Sequence, residues 1–175
     1  VAWVTSTLAG MTDEEKIGQL FVNMGSSRDE AYLTEMVQRY HIAAVRYQIR
    51  HGAKLIKVSA SGGVMSHSTA PGAQQYSDAE FAAIADEAHR AGVRVAAHAV
   101  GDTAIRACIR AGIDCIEHGF LASDETIQMM VDHGTFLVST TYLTDAMAID
   151  RIAPELRKKA LDVFPKAKTM LPKAI

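Results

Sequence analysis

Glycines and short apolar runs alternate along the chain from residue 52 onward. Four times, a helix-like stretch ends at a glycine that precedes a strand-like run, in the segments HGAKLIKVSA, AGVRVAAHAV, AGIDCIEHG and HGTFLVSTT. A glycine just past a helix end is the usual left-handed cap, and short apolar runs bounded by turn residues are typical of buried strands. The capping glycines are Gly52, Gly92, Gly112 and Gly134. The pattern predicts four strands, around Lys57, Val95, Ile116 and Val138.

Residues that favour helix starts follow each of the first three predicted strands. Ser77 and Glu80 have the spacing of a capping box. Asp102 is a candidate N-cap of the next helix, and Ser123 or Asp124 of the one after it. Alternating strands and helices indicate parallel strands with right-handed crossovers. A (β/α) barrel, or part of one, is favoured over a doubly wound sheet, because polar residues recur at strand ends and no glycine-rich dinucleotide fingerprint occurs.

Apolar residues recur at helical spacing in the three helices that follow. The pattern predicts these as buried: Phe81, Ile84, Ala88, Ile105, Ile109, Ile127 and Met130.

The first 48 residues have a different pattern. MTDEEKIGQLFVN reads as a short helix running into a strand, and RDEAYLTEMVQRY as a helix. HIAAVRYQ is ambiguous, because it could form a second strand or continue one helix through residues 36–52. The predicted fold class is therefore α/β, a partial (β/α) TIM-barrel-like assembly of about five to six parallel strands in a single domain, 1–175.

Composition excludes some classes of partner. The chain has 175 residues and a net charge of -2, and its 18 basic and 20 acidic residues are interspersed. Neither nucleic acid nor a membrane is expected as a partner, since there is no block of like charge and no apolar run of about 18 residues. A small-molecule or dipeptide-like ligand is expected. Two cysteines without a signal peptide fit a reducing compartment, so a cytoplasmic location is predicted.

Polar residues at the predicted strand ends are the candidates for chemistry. Lys57, His98 and His118 follow or lie within apolar strands, and Thr140 with Thr141 follows the last one. Neutral imidazole is a good zinc ligand, and a metal-bound water can act as a nucleophile at neutral pH. The alternative is that both histidines are core residues bonded to backbone carbonyls, and that Lys57 only extends its head to the barrel mouth.

From about residue 49 to residue 175, the chain resembles the middle of an amidohydrolase-superfamily enzyme of the imidazolonepropionase-like and Xaa-Pro-dipeptidase-like branch. The motifs that carry the resemblance are IRHGAKLIKVSASGGVMS, YSDAEFAAIADEAHRAGVRVAAHAVG, AIRACIRAGIDCIEHG and ETIQMMVDHGTFLVSTTY. The resemblance implies a (β/α) barrel and metal-dependent hydrolysis of amide bonds. It also implies that Lys57 is a carboxylated lysine bridging two divalent ions, zinc first among them, and that His98 and His118 are metal ligands.

Two elements of that family have no counterpart in the sequence. None of the seven histidines has another histidine two residues away, so the His-x-His pair of the first strand is not found. The aspartate of the last strand would fall after Ile175. Catalytic zinc normally has three protein ligands and a water, so weak metal binding is expected.

Residues 1–48 resemble the amino-terminal end of a glycoside hydrolase family 3 barrel of the β-N-acetylhexosaminidase-like type. The motif MTDEEKIGQLF carries this resemblance. Together the two resemblances predict an incomplete, recombined or engineered barrel fragment with weak or no activity. The alternatives are a working metal-dependent hydrolase completed by another subunit, through association of open strand edges, and a purely structural chimera without a ligand.

Overall fold

The computed structural model describes residues 45, 48–50, 52–67 and 69–175. The chain divides into two compact units, Val1–Ala53 and Lys54–Ile175. The second unit contains, in order, β1 (Leu55–Ser59), α1 (Asp78–Arg90), β2 (Arg94–Ala99), α2 (Asp102–Arg110), β3 (Cys115–His118), α3 (Asp124–His133), β4 (Phe136–Val138), α4 (Leu143–Ala146) and α5 (Pro154–Met170). Short 3-10 helices cover Ile149–Arg151 and Leu171–Lys173. No helix among the described residues is both long and apolar enough to cross a membrane.

The four strands form one sheet in the order β1-β2-β3-β4, and all neighbouring pairs are parallel. All four strands predicted from the apolar runs are confirmed, and so is the partial (β/α) barrel architecture. The register aligns Ser59 of β1 with His98 of β2, and His98 with Glu117 of β3. The additional strands predicted within residues 1–48 lie outside the described residues.

The described part of the ambiguous segment 36–52 is helical. Val45 and residues 48–50 have helical conformation, and the N–H of Gly52 donates to the carbonyl of Ile49 at 3.0 Å. The other residues of the segment lie outside the described ones. Gly52, Gly92, Gly112 and Gly134 all have positive φ, between 67° and 93°, which confirms the four predicted glycine caps.

Helices α1 and α2 pack against β2 and bury the predicted apolar faces. Six of the seven predicted core residues are buried; Ile127 is only half-buried. On α3 the fully buried position is its neighbour Thr126, whose hydroxyl donates to Asp102 at 2.6 Å. A hydrogen-bonded threonine therefore occupies the core position that helical spacing assigned to an isoleucine.

Two of the three predicted helix caps are confirmed. Ser77 and Glu80 form the capping box of α1, and the Ser123 hydroxyl accepts from the N–H of Thr126 at the start of α3. The prediction that Asp102 caps α2 is wrong: the N-cap is Gly101, and Asp102 is the first helical residue. The Asp102 carboxylate is turned instead toward α3, where it accepts from the backbone N–H of Ser123 at 2.7 Å.

The loop between β1 and α1 is held against the ends of the strands. The Ser61 hydroxyl accepts from the N–H of Val100 at 2.8 Å, and the N–H of Gln75 donates to Ala60 at 2.9 Å. Gly72 and Gly101 approach so closely that a Cβ on Gly101 would lie 2.3 Å from the Gly72 carbonyl oxygen. Glycine at both positions thus lets the loop cross the start of α2.

A second apolar cluster lies beyond the carboxyl ends of β2 and β3, where α5 packs. Its buried members are Val64, Val100, Phe120, Ala160, Val163, Phe164 and Ala167. The rings of Phe120 and Phe164 meet edge to face, with centroids 6.1 Å apart. Phe120 of this cluster packs beside His118, one of the polar residues at the strand ends.

Candidate metal centre

The structure brings His98 and His118 together. His98 lies near the end of β2 and His118 is the last residue of the neighbouring strand β3. Their ring centroids are 4.6 Å apart, at an interplanar angle of 68°. Two imidazoles at this separation, on strands fixed by a parallel ladder, can direct nitrogen lone pairs toward one shared point.

His118 reaches this position because the strand ends at it. In a regular strand, His118 would point to the face opposite that of Glu117, since successive side chains alternate. Its φ is 72°, in the left-handed region that non-glycine residues rarely adopt. Its Nδ1 lies 2.7 Å from the Thr140 hydroxyl, and its ring centroid lies 5.5 Å from that of Phe120.

Both imidazoles are held in the neutral form. Burial is the main cause that lowers the pKa of His98 to about 4; repulsion from Lys57, and from His118 whenever that ring is protonated, acts in the same direction, although Glu117 opposes it. Burial also lowers the pKa of His118, and the charge on Lys57 acts in the same direction, although Glu117 opposes it. Near neutral pH each ring therefore has one nitrogen lone pair that can bind a metal ion.

Lys57 lies on the same sheet face but is paired with a carboxylate. Lys57 is aligned with Ala96, two residues before His98 on β2, and His98 is aligned with Glu117. The Nζ of Lys57 donates to Glu117 Oε2. The Lys57 side chain is 47% exposed and that of Glu117 26%. Sequence analysis did not single out Glu117. The strand register aligns it with His98 on one face of the sheet, where its carboxylate reaches Lys57.

No group of three or more His, Cys, Asp or Glu side chains within the described ranges is arranged to hold a metal ion. The two histidines supply a pair of neutral nitrogen ligands for one divalent ion. Among the described residues, Lys57 would supply a third protein ligand only in its carboxylated form, because a protonated lysine has no lone pair. The donor set thus fits a metal ion only with that modification.

A cavity of about 350 Å³ opens beside the two imidazoles. Most of its lining is apolar, and the polar residues are Ser59, Ser66, His98 and His118. The apolar lining comes from the loop after β1, from the strand ends and from α4 and α5: Val64, Met65, Val100, Phe120, Leu143, Met147 and Phe164. Ligand sites of this size are typically apolar with a few convergent polar groups.

The loop that forms one wall of the cavity is fixed at two points. A Cβ on Gly63 would lie 3.1 Å from Cε1 and Nε2 of His98, so glycine allows this loop to approach the imidazole closely. On the other side, the Lys159 ammonium of α5 donates to the carbonyls of Ser66 and Thr69, both at 2.6 Å. Lys159 was not found by sequence analysis, because nothing in the helical pattern indicates a partner 90 residues away.

Comparisons with known proteins identify the family of the chain and agree with its fold. The family model described as "Amidohydrolase family" matches residues 14–173. Ochratoxinase of Aspergillus niger is 45% identical over 97 residues, which are 55% of this chain and 20% of that protein. A crystal structure of a prolidase complexed with N-methylphosphonate-L-proline superposes with a TM-score of 0.73 at 37% identity, covering 79% of this chain and 35% of that one. The crystal structure of A. niger ochratoxinase gives a TM-score of 0.72 at 35% identity, over 77% and 31% of the two chains.

The matched part of the chain therefore spans 20% to 35% of the length of these relatives. The family match starts at residue 14 and so includes most of the segment 1–48. The glycosidase resemblance of that segment and the recombined origin find no support in these matches.

Proposed function

The chain belongs to the amidohydrolase family, and we propose that its strand-end cavity binds one divalent metal ion and serves the hydrolysis of an amide bond. The observation that carries the proposal is the pair of neutral imidazoles, 4.6 Å apart between centroids, at the mouth of an apolar cavity. Similarity to ochratoxinase and to a prolidase supports amide chemistry.

His98 and His118 would hold the metal, and Lys57 would complete the set after carboxylation. Zinc is the first candidate, because imidazole nitrogen and carboxylate oxygen are among its usual ligands and the site offers no thiolate. Glu117 accepts a hydrogen bond from the Lys57 ammonium. This hydrogen bond would have to break when the Lys57 nitrogen becomes a carbamate. When bound, the metal would acidify a water and polarise the amide carbonyl.

The cavity supports a small amide substrate with an apolar group. An apolar cavity of roughly 150 Å³ can hold a benzene ring. The cavity here, at about 350 Å³, has room for a larger apolar group with its amide placed beside the histidines. Phe120 and Phe164, packed edge to face, would contact that group, while the carbonyl would lie toward His98.

We expect weak hydrolysis by this chain alone. Acidifying a metal-bound water depends on the whole set of ligands, and the sequence has no His-x-His pair to add to His98 and His118. Hydrolysis well above this level, appearing only at concentrations where the chain associates, would favour the second candidate, a site completed by another subunit.

Zinc titration by calorimetry tests the proposal. The parent chain should bind zinc, and the His98→Ala, His118→Ala double variant should release much less heat. His133→Ala is the matched control, because this histidine is exposed on α3 and bonds only a backbone carbonyl. Equal heats for the parent and the double variant would reduce both residues to core histidines without a ligand. Turnover of a dipeptide or an N-acyl amino acid, compared with the double variant, tests the reaction itself.

A further inference from the structure

Thr140 makes two hydrogen bonds through a single hydroxyl. Its Oγ1 lies 2.8 Å from the carbonyl oxygen of Ser139 and 2.7 Å from Nδ1 of His118. A threonine hydroxyl has one proton to donate and two lone pairs that accept. A carbonyl oxygen can only accept a hydrogen bond, so the Thr140 hydroxyl donates its proton to the carbonyl oxygen of Ser139.

The direction of the Thr140 hydroxyl bond determines which ring nitrogen of neutral His118 carries the proton. Since the Thr140 proton points to the Ser139 carbonyl, the contact with Nδ1 is a hydrogen bond only if Nδ1 carries the hydrogen. In the opposite arrangement, two oxygen atoms 2.8 Å apart would face each other without a proton between them. Neutral imidazole has one N–H and one lone pair, so a proton on Nδ1 leaves the lone pair on Nε2.

We propose that Thr140 is a positioning residue that holds His118 in the Nδ1–H tautomer and keeps Nε2 free to bind a divalent metal ion. Metal binding at Nε2 rests on the proposed function, whereas the assignment of the His118 tautomer does not. The other ring nitrogen of a metal-binding histidine usually donates to an oxygen acceptor, which sets the tautomer and the orientation of the ring. Thr140 supplies that acceptor from the segment after β4, while His118 ends β3.

The backbone supports the same assignment. Thr140 has a φ of 50° and His118 a φ of 72°, and these are the non-glycine residues with positive φ within the described ranges. Such a conformation is a genuine outlier for a β-branched residue and strains the backbone. The two strained residues are bonded to each other across neighbouring strand ends. Strain of this kind persists where the surroundings over-determine it, and here both side chains are directed to one point.

The tautomer can be measured without any metal. In metal-free, 15N-labelled protein at about pH 8, the two ring nitrogens of a neutral histidine give distinct signals for the protonated and the bare nitrogen. A His118→Ala variant identifies the His118 signals. We expect the Nδ1–H form in the parent chain and in Thr140→Ser, which keeps the hydroxyl. Thr140→Val has the same shape without the hydroxyl and should shift His118 toward the other tautomer. Thr141→Val, at the neighbouring position, should leave the signals unchanged.

Zinc affinity is the second readout. Thr140→Val should bind zinc about 10–100-fold more weakly than the parent, as is usual when an outer partner of a metal ligand is removed. Thr140→Ser and Thr141→Val should stay near the parent value. An Nε2–H tautomer in the parent overturns the inference even if no variant folds, and so does an unchanged tautomer in Thr140→Val. If the parent binds no zinc but shows the Nδ1–H form that depends on Thr140, the proposed function fails while the tautomer assignment stands.

Discussion

His98 and His118 are held in their positions by different contacts. His118 is fixed by a hydrogen bond to Thr140, whereas His98 has no hydrogen-bond partner for its ring among the described residues. The His98 ring is confined by packing instead, against the His118 ring and against Gly63. A change in packing should therefore displace His98 more easily than His118.

Gly63→Ala tests this difference. The new methyl group would lie 3.1 Å from Cε1 and Nε2 of His98, so the ring must move by a few tenths of an ångström. Such a shift misdirects the nitrogen lone pair, and we expect zinc affinity to fall by roughly tenfold, the lower end of the range for disturbed ligand orientation. Calorimetry measures the affinity, and urea unfolding of the same samples separates displacement of the ring from general destabilisation. Unchanged affinity would show that Gly63 does not limit the position of His98.

The lowered pKa of His98 predicts a pH-dependent stability of the metal-free chain. The pKa is about 4 in the folded state, against the ordinary 6.5 of an exposed histidine, so the unfolded state binds more protons between these limits. Stability contributed by neutral His98 is present above about pH 6.5 and is lost as the pH falls toward 4. Because the His98 ring is only partly buried and solvent screens its charge, the loss between pH 7.5 and pH 5 should be on the order of 1 kcal/mol.

Urea unfolding with a chelator at these two pH values measures the effect, with His98→Gln as the comparison. The variant should lose less stability than the parent on acidification. Equal losses would mean that His98 titrates near its ordinary pKa in the folded chain.

Among the helices, α2 and α3 are joined by the carboxylate of Asp102. It accepts from Arg106 on its own helix at 2.8 Å, from the N–H of Ser123 at 2.7 Å and from the Thr126 hydroxyl at 2.6 Å. Burial alone would raise the pKa of Asp102, but these hydrogen bonds outweigh burial and lower it. The carboxylate thereby sets the start of α3 relative to α2.

Asp102→Ala should destabilise the chain by about 1–3 kcal/mol, because it leaves the buried Thr126 hydroxyl and the Ser123 N–H without their acceptor. Asp132→Ala is the control, since Asp132 bonds only the exposed Gln128 one turn away on α3. Chemical denaturation measures both variants. Equal stability of the two would show that Asp102 is not needed to join the helices.

The core register of the helices can be tested with isoleucines. Ile84 and Ile105 are 3% and 0% exposed, so Ile84→Ala and Ile105→Ala should each lower stability by roughly 2–5 kcal/mol. Ile127→Ala should cost clearly less, because that side chain is only half-buried. Urea titration of the three variants decides the point, and a change below about 0.5 kcal/mol at both Ile84 and Ile105 would contradict the helix faces described above.

At the scale of the whole molecule, β1 and β4 are the outer strands of the described sheet. Three apolar side chains on them are largely exposed: Leu55 at 51%, Phe136 at 62% and Val138 at 49%. Outer strands with apolar side chains favour pairing between copies, and a charge placed on such a strand opposes it. We therefore expect the chain to self-associate through these strands.

Val138→Lys should weaken self-association, measured as the concentration dependence of the mass by light scattering. Val131→Lys makes the same change at an exposed site on α3 and should leave association unchanged. A parent chain that stays monomeric at all concentrations, or a Val138→Lys variant that associates as strongly as the parent, would exclude pairing through β4.

The sequence by itself determined most of the local structure from Gly52 onward. The glycines predicted four helix caps, the apolar runs predicted four strands, and helical spacing predicted six of the seven core residues correctly. These features depend on backbone conformation and on burial period, which neighbouring residues decide. The positions of His98 and His118 at the ends of β2 and β3 also follow from the sequence, because a histidine near the end of an apolar run is visible there.

Only the tertiary structure decided which of these side chains meet. Glu117 faces Lys57 because of the strand register, and Asp102 reaches α3 instead of capping α2 because Ser123 and Thr126 lie beside it. Thr140 lies two residues past the end of β4 and bonds His118 at the end of the neighbouring β3, and both residues have left-handed conformations. Such pairings join residues 20 or more positions apart along the chain, where local propensity carries no information; packing of the parallel strands determines them.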